Sequence, residues 1–284
     1  MDETPSLPTL ILDPAARAGR LALWAAARSH PGRVREINED SVLFIRLSGL
    51  LAGGASPELG FFAVADGMGG HDRGEVASRK VLQQLGAALL DRVFKRVVLT
   101  GRHGDEAWME RVLRECILAA NGELLALQRA SDSNMGTTLT AALFIDGRTI
   151  VANVGDSRTY RWRGGALEQI TRDHSLVASL VAAGHLEPEA VYTHDQKGMI
   201  YRSVGEDADL TVDTFTVELW PNDRLLLCSD GLWEMVRDEG LAAALAAETT
   251  PQAVCDRLID EANRAGGEDN ISVLVVWAAP VAGS

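Results

Sequence analysis

The chain has 284 residues, 46% of them hydrophobic, and a formal net charge of −13. That length suits one large domain or two small ones with a sizeable core, and so acidic a chain with no strong basic patch argues against nucleic acid or anionic lipid as a partner. No apolar run is long enough to span a membrane, and Asp2 and Glu3 stand where a secretory leader would carry basic residues. Cys116, Cys228 and Cys255 are odd in number and too scattered for a zinc site, so a reduced, cytoplasmic setting is expected.

Residues 1–20 carry prolines near their start and no periodicity, and read as a loosely ordered extension. From Leu21, LALWAAARS suits a strand and REINEDSVLFIRL leads into another; LLAGGASPE reads as a hairpin loop, and LGFFAVA as a buried strand ending at Asp66. Val81, Leu82, Leu85 and Leu89 then recur at helical spacing, as do Trp108, Val112, Cys116, Ile117, Ala120, Leu124 and Leu127. The intervening RVVLTGRHGDE reads as a surface excursion. Thr138 to Ile145 and Thr149 to Val154 form a hairpin about Asp146-Gly147, and SRTYRWRGGALEQI a second about Gly164-Gly165.

His174 to about His194 is helical and mixed, with Pro188 expected as the first residue of a short helix. LTVDTFTVEL and DRLLLCSD read as strands, Leu241 to Ala247 and Val254 to Ala265 as helices, the latter opened by Thr250-Pro251, and ISVLVVWA as a last strand. Neither repeat nor linker divides the chain, so one domain over 21–278 with a tail at 279–284 is expected. Strands at both ends bracket consecutive helices without regular alternation, which favours an α+β sandwich over a doubly wound parallel sheet.

The carboxylates carry the chemistry. AVADGMGGHDRGE delivers Asp66 from an apolar strand into a glycine-rich segment, where Gly67 allows its carbonyl close approach to a ligand and Gly69 and Gly70 permit tight turning. An aspartate followed by such a carbonyl offers hard oxygen donors to magnesium or manganese; it equally suits an ordinary turn. LLLCSDG, VANVGDSR and GGEDN place Asp230, Asp156 and Asp269 at other strand edges. Each alone suits a turn or a helix cap, yet a common sheet can gather four such ends, and clustered carboxylates repel unless a cation lies among them. REINEDS adds Glu39-Asp40 behind Arg35, whose planar fork suits either two phosphate oxygens or a surface ion pair with Glu39 or Asp40.

RxxNED (Arg35 to Asp40), ADGMGGHxxGExAS (Ala65 to Ser78), GTT (Gly136 to Thr138), VGDSR (Val154 to Arg158), SDG (Ser229 to Gly231) and GGxDN (Gly266 to Asn270) occur in one order. In that combination, over about Leu21 to Trp277, the chain resembles the metal-dependent protein phosphatases of the protein phosphatase 2C type, in their bacterial branch. The resemblance implies two packed antiparallel β-sheets flanked by helices, a four-layer α-β-β-α sandwich with a metal site at one end. It also implies hydrolysis of phosphoserine or phosphothreonine on proteins by a water activated between two Mn2+ or Mg2+ ions. By position, Asp66 would bridge the ions, Asp230 and Asp269 complete the first, and the Gly67 carbonyl bind the second. Glu39 and Asp40 would hold waters or the second ion, Asp156 with Asp230 would support a third, weaker ion, and Arg35 would bind phosphate.

Two departures from that pattern stand out. Met68 replaces a histidine found in some relatives, leaving a water on the cations or His71 as the leaving-group acid, and THDQKG (Thr193 to Gly198) stands where many relatives have His-Pro. A cognate serine/threonine kinase is a compatible partner. A phosphatase-like module that only binds phosphoproteins would share the fold; retention of Asp66, Asp156, Asp230 and Asp269 favours catalysis. No EF-hand loop supports a calcium module, and no cysteine has a phosphate-cradling context.

Overall fold

The computed structural model describes residues 21–281 apart from 52–53, 56–57 and 70–72. The expected extension at 1–20, Gly70 and His71 lie outside the described residues. In chain order the elements begin with β1 (Leu21–His30), β2 (Asp40–Leu47), the two-residue strands β3 (Leu50–Leu51) and β4 (Gly54–Ala55), β5 (Leu59–Gly69), α1 (Gly74–Leu89), α2 (Lys95–Thr100) and α3 (Glu106–Ser131). There follow β6 (Met135–Thr137), β7 (Leu139–Ile145), β8 (Arg148–Val154), β9 (Arg158–Arg163), β10 (Ala166–Gln169), α4 (Leu176–Ala182) and α5 (Ala190–Thr193). The chain closes with β11 (Asp213–Glu218), β12 (Arg224–Cys228), α6 (Asp230–Trp233), α7 (Asp238–Ala247), α8 (Pro251–Arg264) and β13 (Ile271–Pro280).

Two antiparallel sheets result, one in the order β1-β13-β12-β9-β10 and the other β11-β8-β7-β5-β2. Strand periodicity assigns the layers. Along β5, Phe61, Ala63 and Ala65 pack towards α1 and α3, while Phe62 and Val64 face the opposite sheet. Along β13, Val273 and Val275 pack towards α7 and α8, while Leu274 and Val276 meet the first sheet's partner across the centre. Both strands are apolar on both faces, which is why they read as continuous hydrophobic runs. The four-layer α-β-β-α sandwich is therefore the observed architecture.

Local signals explain most boundaries. Asp146 and Gly147 adopt left-handed φ values of 49° and 92°, the requirement of the tight turn joining β7 to β8. Thr250 Oγ1 accepts the Ala253 N–H at 3.1 Å, with Pro251 opening α8.

Two expectations need correction. RVVLT is helical rather than a surface excursion: α1 runs through a π turn at Leu90–Phe94 into α2, because Val93, Phe94 and Val97 extend its buried stripe, and Gly101 at φ 63° ends it. Pro188 is not the first residue of α5, which starts at Ala190 with Glu189 as its cap; Pro188 instead lies in the preceding turn, where its carbonyl accepts from Val191 N.

Candidate active site

Five chain segments converge at one end of the sandwich. Asp40 opens β2 and lies directly opposite Asp66 on β5, so two carboxylates share one face of the ladder, where like charges repel. Asp230 starts α6 just beyond β12, Asp156 follows β8, and Asp269 precedes β13. Asp40 and Asp156 are buried, and Asp66 and Asp230 nearly so.

The electrostatics follow from this crowding. Burial first, and then the charges of Asp40, Asp230 and Asp156, hold the Asp66 carboxyl well above its ordinary range. Burial and then Asp156 and Glu234 do the same for Asp230. Asp40 is pushed up to about 6, mainly by burial. Asp156 rises to about 7 through burial and the neighbouring Asp173. Asp40 Oδ1 and Asp230 Oδ1 are buried with no hydrogen-bond donor among the described residues. Unpaired buried carboxylate oxygens are costly unless another group supplies the missing charge.

The surrounding polar groups hold these aspartates in place. The Asp66 N–H donates to Thr138 Oγ1 at 3.0 Å, and its carbonyl accepts from Thr138 N and Thr137 Oγ1, both at 2.8 Å. Thr138 Oγ1 in turn lies 2.7 Å from Ser157 Oγ, so GTT and VGDSR lock together. Ser229 Oγ donates to Asp40 Oδ2 at 2.7 Å and accepts the Ser272 N–H at 2.9 Å. Sequence reasoning marked GTT and SDG as motifs without assigning these hydroxyls a task.

Gly67 is required for a steric reason that the sequence did not disclose: a Cβ there would run into the carbonyls of Gly74 and Glu39. The chain stays extended through Gly69 rather than turning there. Glu39 Oε1 accepts the Gly74 N–H at 3.0 Å, and burial raises the Glu39 carboxyl. Asn270 ties the loop before β2 to this centre, accepting the Glu39 N–H at 2.7 Å and donating to the Pro31 and Ile37 carbonyls. That loop carries Arg35, whose Nη2 lies 2.6 Å from Asp269 Oδ2, so its partner is neither Glu39 nor Asp40.

Between β10 and β11 the chain makes an excursion containing α4 and α5. Its base is fixed by buried His174, whose Nδ1 accepts the Gly155 N–H at 3.0 Å, leaving Nε2 facing Asp213. Further along it, Lys197 of the departing THDQKG segment places Nζ 2.5 Å from Glu234 Oε2. Glu234 also weighs on Asp156 and Asp230, a role that no motif signalled. Arg158 forms a buried bidentate pair with Asp173 and stacks over Trp233, whose indole N–H donates to the Asp156 carbonyl at 3.0 Å.

The family model described as protein phosphatase 2C matches residues 37–258. The serine/threonine phosphatase stp of Listeria monocytogenes is 37% identical over 256 residues, covering 89% of this chain and 95% of that protein. The crystal structure of the Mycobacterium tuberculosis serine/threonine phosphatase PstP/Ppp superposes with a TM-score of 0.76 at 37% identity, over 90% of this chain and 99% of that one. A structure of the PstP catalytic domain in complex with two manganese ions gives 0.74 at 37% identity, over 91% and 99%. The chain therefore belongs to the protein phosphatase 2C family.

Proposed function

We propose that this chain is a metal-dependent serine/threonine protein phosphatase whose catalytic centre is the carboxylate cluster around Asp66. The observation that carries the assignment is the pairing of Asp40 opposite Asp66, with Asp230 and Asp156 close enough to raise the Asp66 carboxyl further. Such an arrangement is costly for the bare chain and is relieved by cations.

The donors fit manganese or magnesium, being carboxylate and carbonyl oxygens. Among the described residues no three acidic, histidine or cysteine side chains form a ligand cluster by themselves. The Gly67 carbonyl, water and substrate phosphate would complete the coordination, which is how such hard cations are ordinarily held. Asp66 would bridge two ions, Asp230 and Asp269 complete one, and Gly67 serve the other, with Glu39 and Asp40 holding waters or the second ion. Asp156, whose charge helps to raise the Asp230 carboxyl and whose own carboxyl Glu234 helps to raise, would support a third.

Divalent cations there would polarise the phosphoryl oxygens and bring the pKa of the attacking water towards neutrality. Arg35, half-exposed and anchored among the described residues through Asp269, would turn its fork to two phosphate oxygens and stabilise the charge gathering on them. Thr138 and Ser229 keep Asp66 and Asp40 aimed throughout. Met68 cannot donate a proton, so the leaving alkoxide would take one from a water held at the centre or from His71. A cysteine nucleophile is disfavoured because Cys116, Cys228 and Cys255 are buried and burial raises their thiols, Cys255 to about 12.

Substrates would be phosphoserine and phosphothreonine proteins, with a serine/threonine kinase supplying the phosphate groups. Among the described residues no helix is long and apolar enough to cross a membrane, and three unpaired thiols support a reducing, cytoplasmic setting. The purified protein should release phosphate from a phosphothreonine peptide with manganese or magnesium, and chelation should stop this reversibly. A folded, cation-loaded protein that binds such peptides without turnover would establish a phosphopeptide-binding module instead.

A further inference from the structure

Beside the carboxylate centre lies a separate cleft of about 330 Å³, lined by Met68, Met135, Gly136, Ile200, Ser203 and Glu206 among others. Resting on the phosphatase reading above, we propose that this cleft is a specificity subsite that takes a lysine or arginine side chain flanking the phosphorylated residue.

Its position follows from the ladders. Met68 is two residues beyond Asp66 on β5, so both side chains leave the same face of the strand about 7 Å apart. Gly67 pairs with Thr137, and Thr137 exchanges backbone hydrogen bonds with Val204 at 3.0 and 2.9 Å. The turn carrying Glu206 therefore starts two interstrand spacings, about 10 Å, from Gly67. One residue step along an extended peptide, about 3.3 Å, plus a long side chain covers that distance.

The chemistry of the walls selects the occupant. Met68, Met135 and Ile200 offer an adaptable apolar surface suited to an aliphatic stem. Gly136 keeps the floor low, since a Cβ there would meet Val204 O at 3.3 Å, Ser203 Oγ at 3.4 Å and Met68 Cγ at 3.6 Å. At the rim, Ser203 Oγ donates to Glu206 Oε2 at 3.1 Å, which orients the carboxylate, and among the described residues Oε1 has no partner and can face a cation.

The turn itself is held by α3. Gly205 N donates to Asn121 Oδ1 at 2.7 Å, Gln128 Nε2 donates to the Gly205 carbonyl at 2.7 Å, and Asn121 Nδ2 donates to the Asp207 carbonyl at 2.7 Å. The exposed acids Glu206, Asp207 and Asp209 thus stand on an anchored turn. A fixed carboxylate near a centre that binds an anion opposes that anion, unless it recognises a positive charge elsewhere on the same substrate.

The test is a set of phosphothreonine peptides that differ only in carrying arginine, alanine or glutamate at each flanking position, assayed with manganese. The readout is the ratio of kcat/KM for the arginine peptide to that for the glutamate peptide, in which any general loss of activity cancels. At one flanking position the unaltered protein should favour arginine by about five- to tenfold, E206Q should bring the ratio near one, and E206R should invert it. Fluorescence anisotropy of the same peptides in chelator gives a parallel readout without turnover and should show the same order. Equal ratios in all three proteins by both measurements, or a preference for apolar residues that E206R leaves intact, would overturn the proposal. Absence of p-nitrophenyl phosphate hydrolysis by the unaltered protein would instead sink the phosphatase reading, a result the peptide ratios do not mimic.

Discussion

Arg35 and Asp269, 234 residues apart in the chain, are joined by an ion pair of 2.6 Å between Nη2 and Oδ2 at the edge of the carboxylate cluster. Asp269 is the largest contributor raising the Arg35 guanidinium, followed by their hydrogen bond, with burial opposing. The proposed phosphate-binding group and a proposed cation ligand therefore compete for each other in the bare protein.

Arg35→Ala should separate the two roles. Loss of a charged, two-pronged contact to phosphate should lower kcat/KM by about 10- to 100-fold, while manganese affinity holds or tightens because Asp269 is released. Steady-state kinetics beside calorimetric manganese titration would check this, and weakened cation binding would remove Arg35 from the phosphate role.

Asp156→Ala and Asp66→Ala should differ in kind. Asp66 faces Asp40 across the ladder and is central to the cluster, whereas Asp156 lies on the side of Asp173 and Glu234. Asp66→Ala should abolish both activity and high-affinity manganese binding. Asp156→Ala should keep that binding and lose most turnover of phosphoprotein. Loss of the tight sites in Asp156→Ala would put Asp156 in the central set and undo the proposed layout.

Ser229→Ala tests the supporting hydroxyls. It removes the donor to Asp40 Oδ2 and the acceptor of the Ser272 N–H, both buried. A stability loss of about 1–3 kcal/mol is expected, with manganese affinity falling by about 10- to 100-fold. Thermal unfolding and titration of the same variant would show both effects; an unchanged affinity would confine Ser229 to a structural role.

The metal-free protein should lose stability as pH rises, opposite to ordinary acid unfolding. Asp40 and Asp156 are pushed up to about 6 and about 7 from the ordinary aspartate range, so the native state keeps protons that the unfolded chain has released. Their contribution is full below about pH 4 and is lost as pH climbs through 6 and 7. Melting in chelator should fall by several degrees from pH 5 to 8, manganese should reverse the trend, and Asp230→Asn should flatten it by removing one repelling charge. A rising melting temperature across that window in chelator would contradict this account.

Much of this is legible in the amino-acid sequence itself. Alternation and apolar runs marked β5, β7, β8, β12 and β13 because strands buried on one or both faces must carry that pattern, and the Thr250-Pro251 and Asp146-Gly147 signals act through local backbone geometry alone. The motifs likewise named Asp66, Asp156, Asp230 and Asp269, since an aspartate beside glycine at a strand edge is a local feature. Where local signals were weak the reading failed: the helical RVVLT segment is set by packing of Val93, Phe94 and Val97 against distant residues.

Tertiary structure alone decided which groups meet. Asp40 opposes Asp66 because of the β2–β5 register, Arg35 reaches Asp269 because Asn270 ties its loop to the last strand, and Glu234 enters the cluster through one turn of α6 and a lysine from a distant excursion. The physical reason is that register and sheet order bring together residues far apart in sequence, whereas composition and spacing report only on what a residue's neighbours along the chain can do.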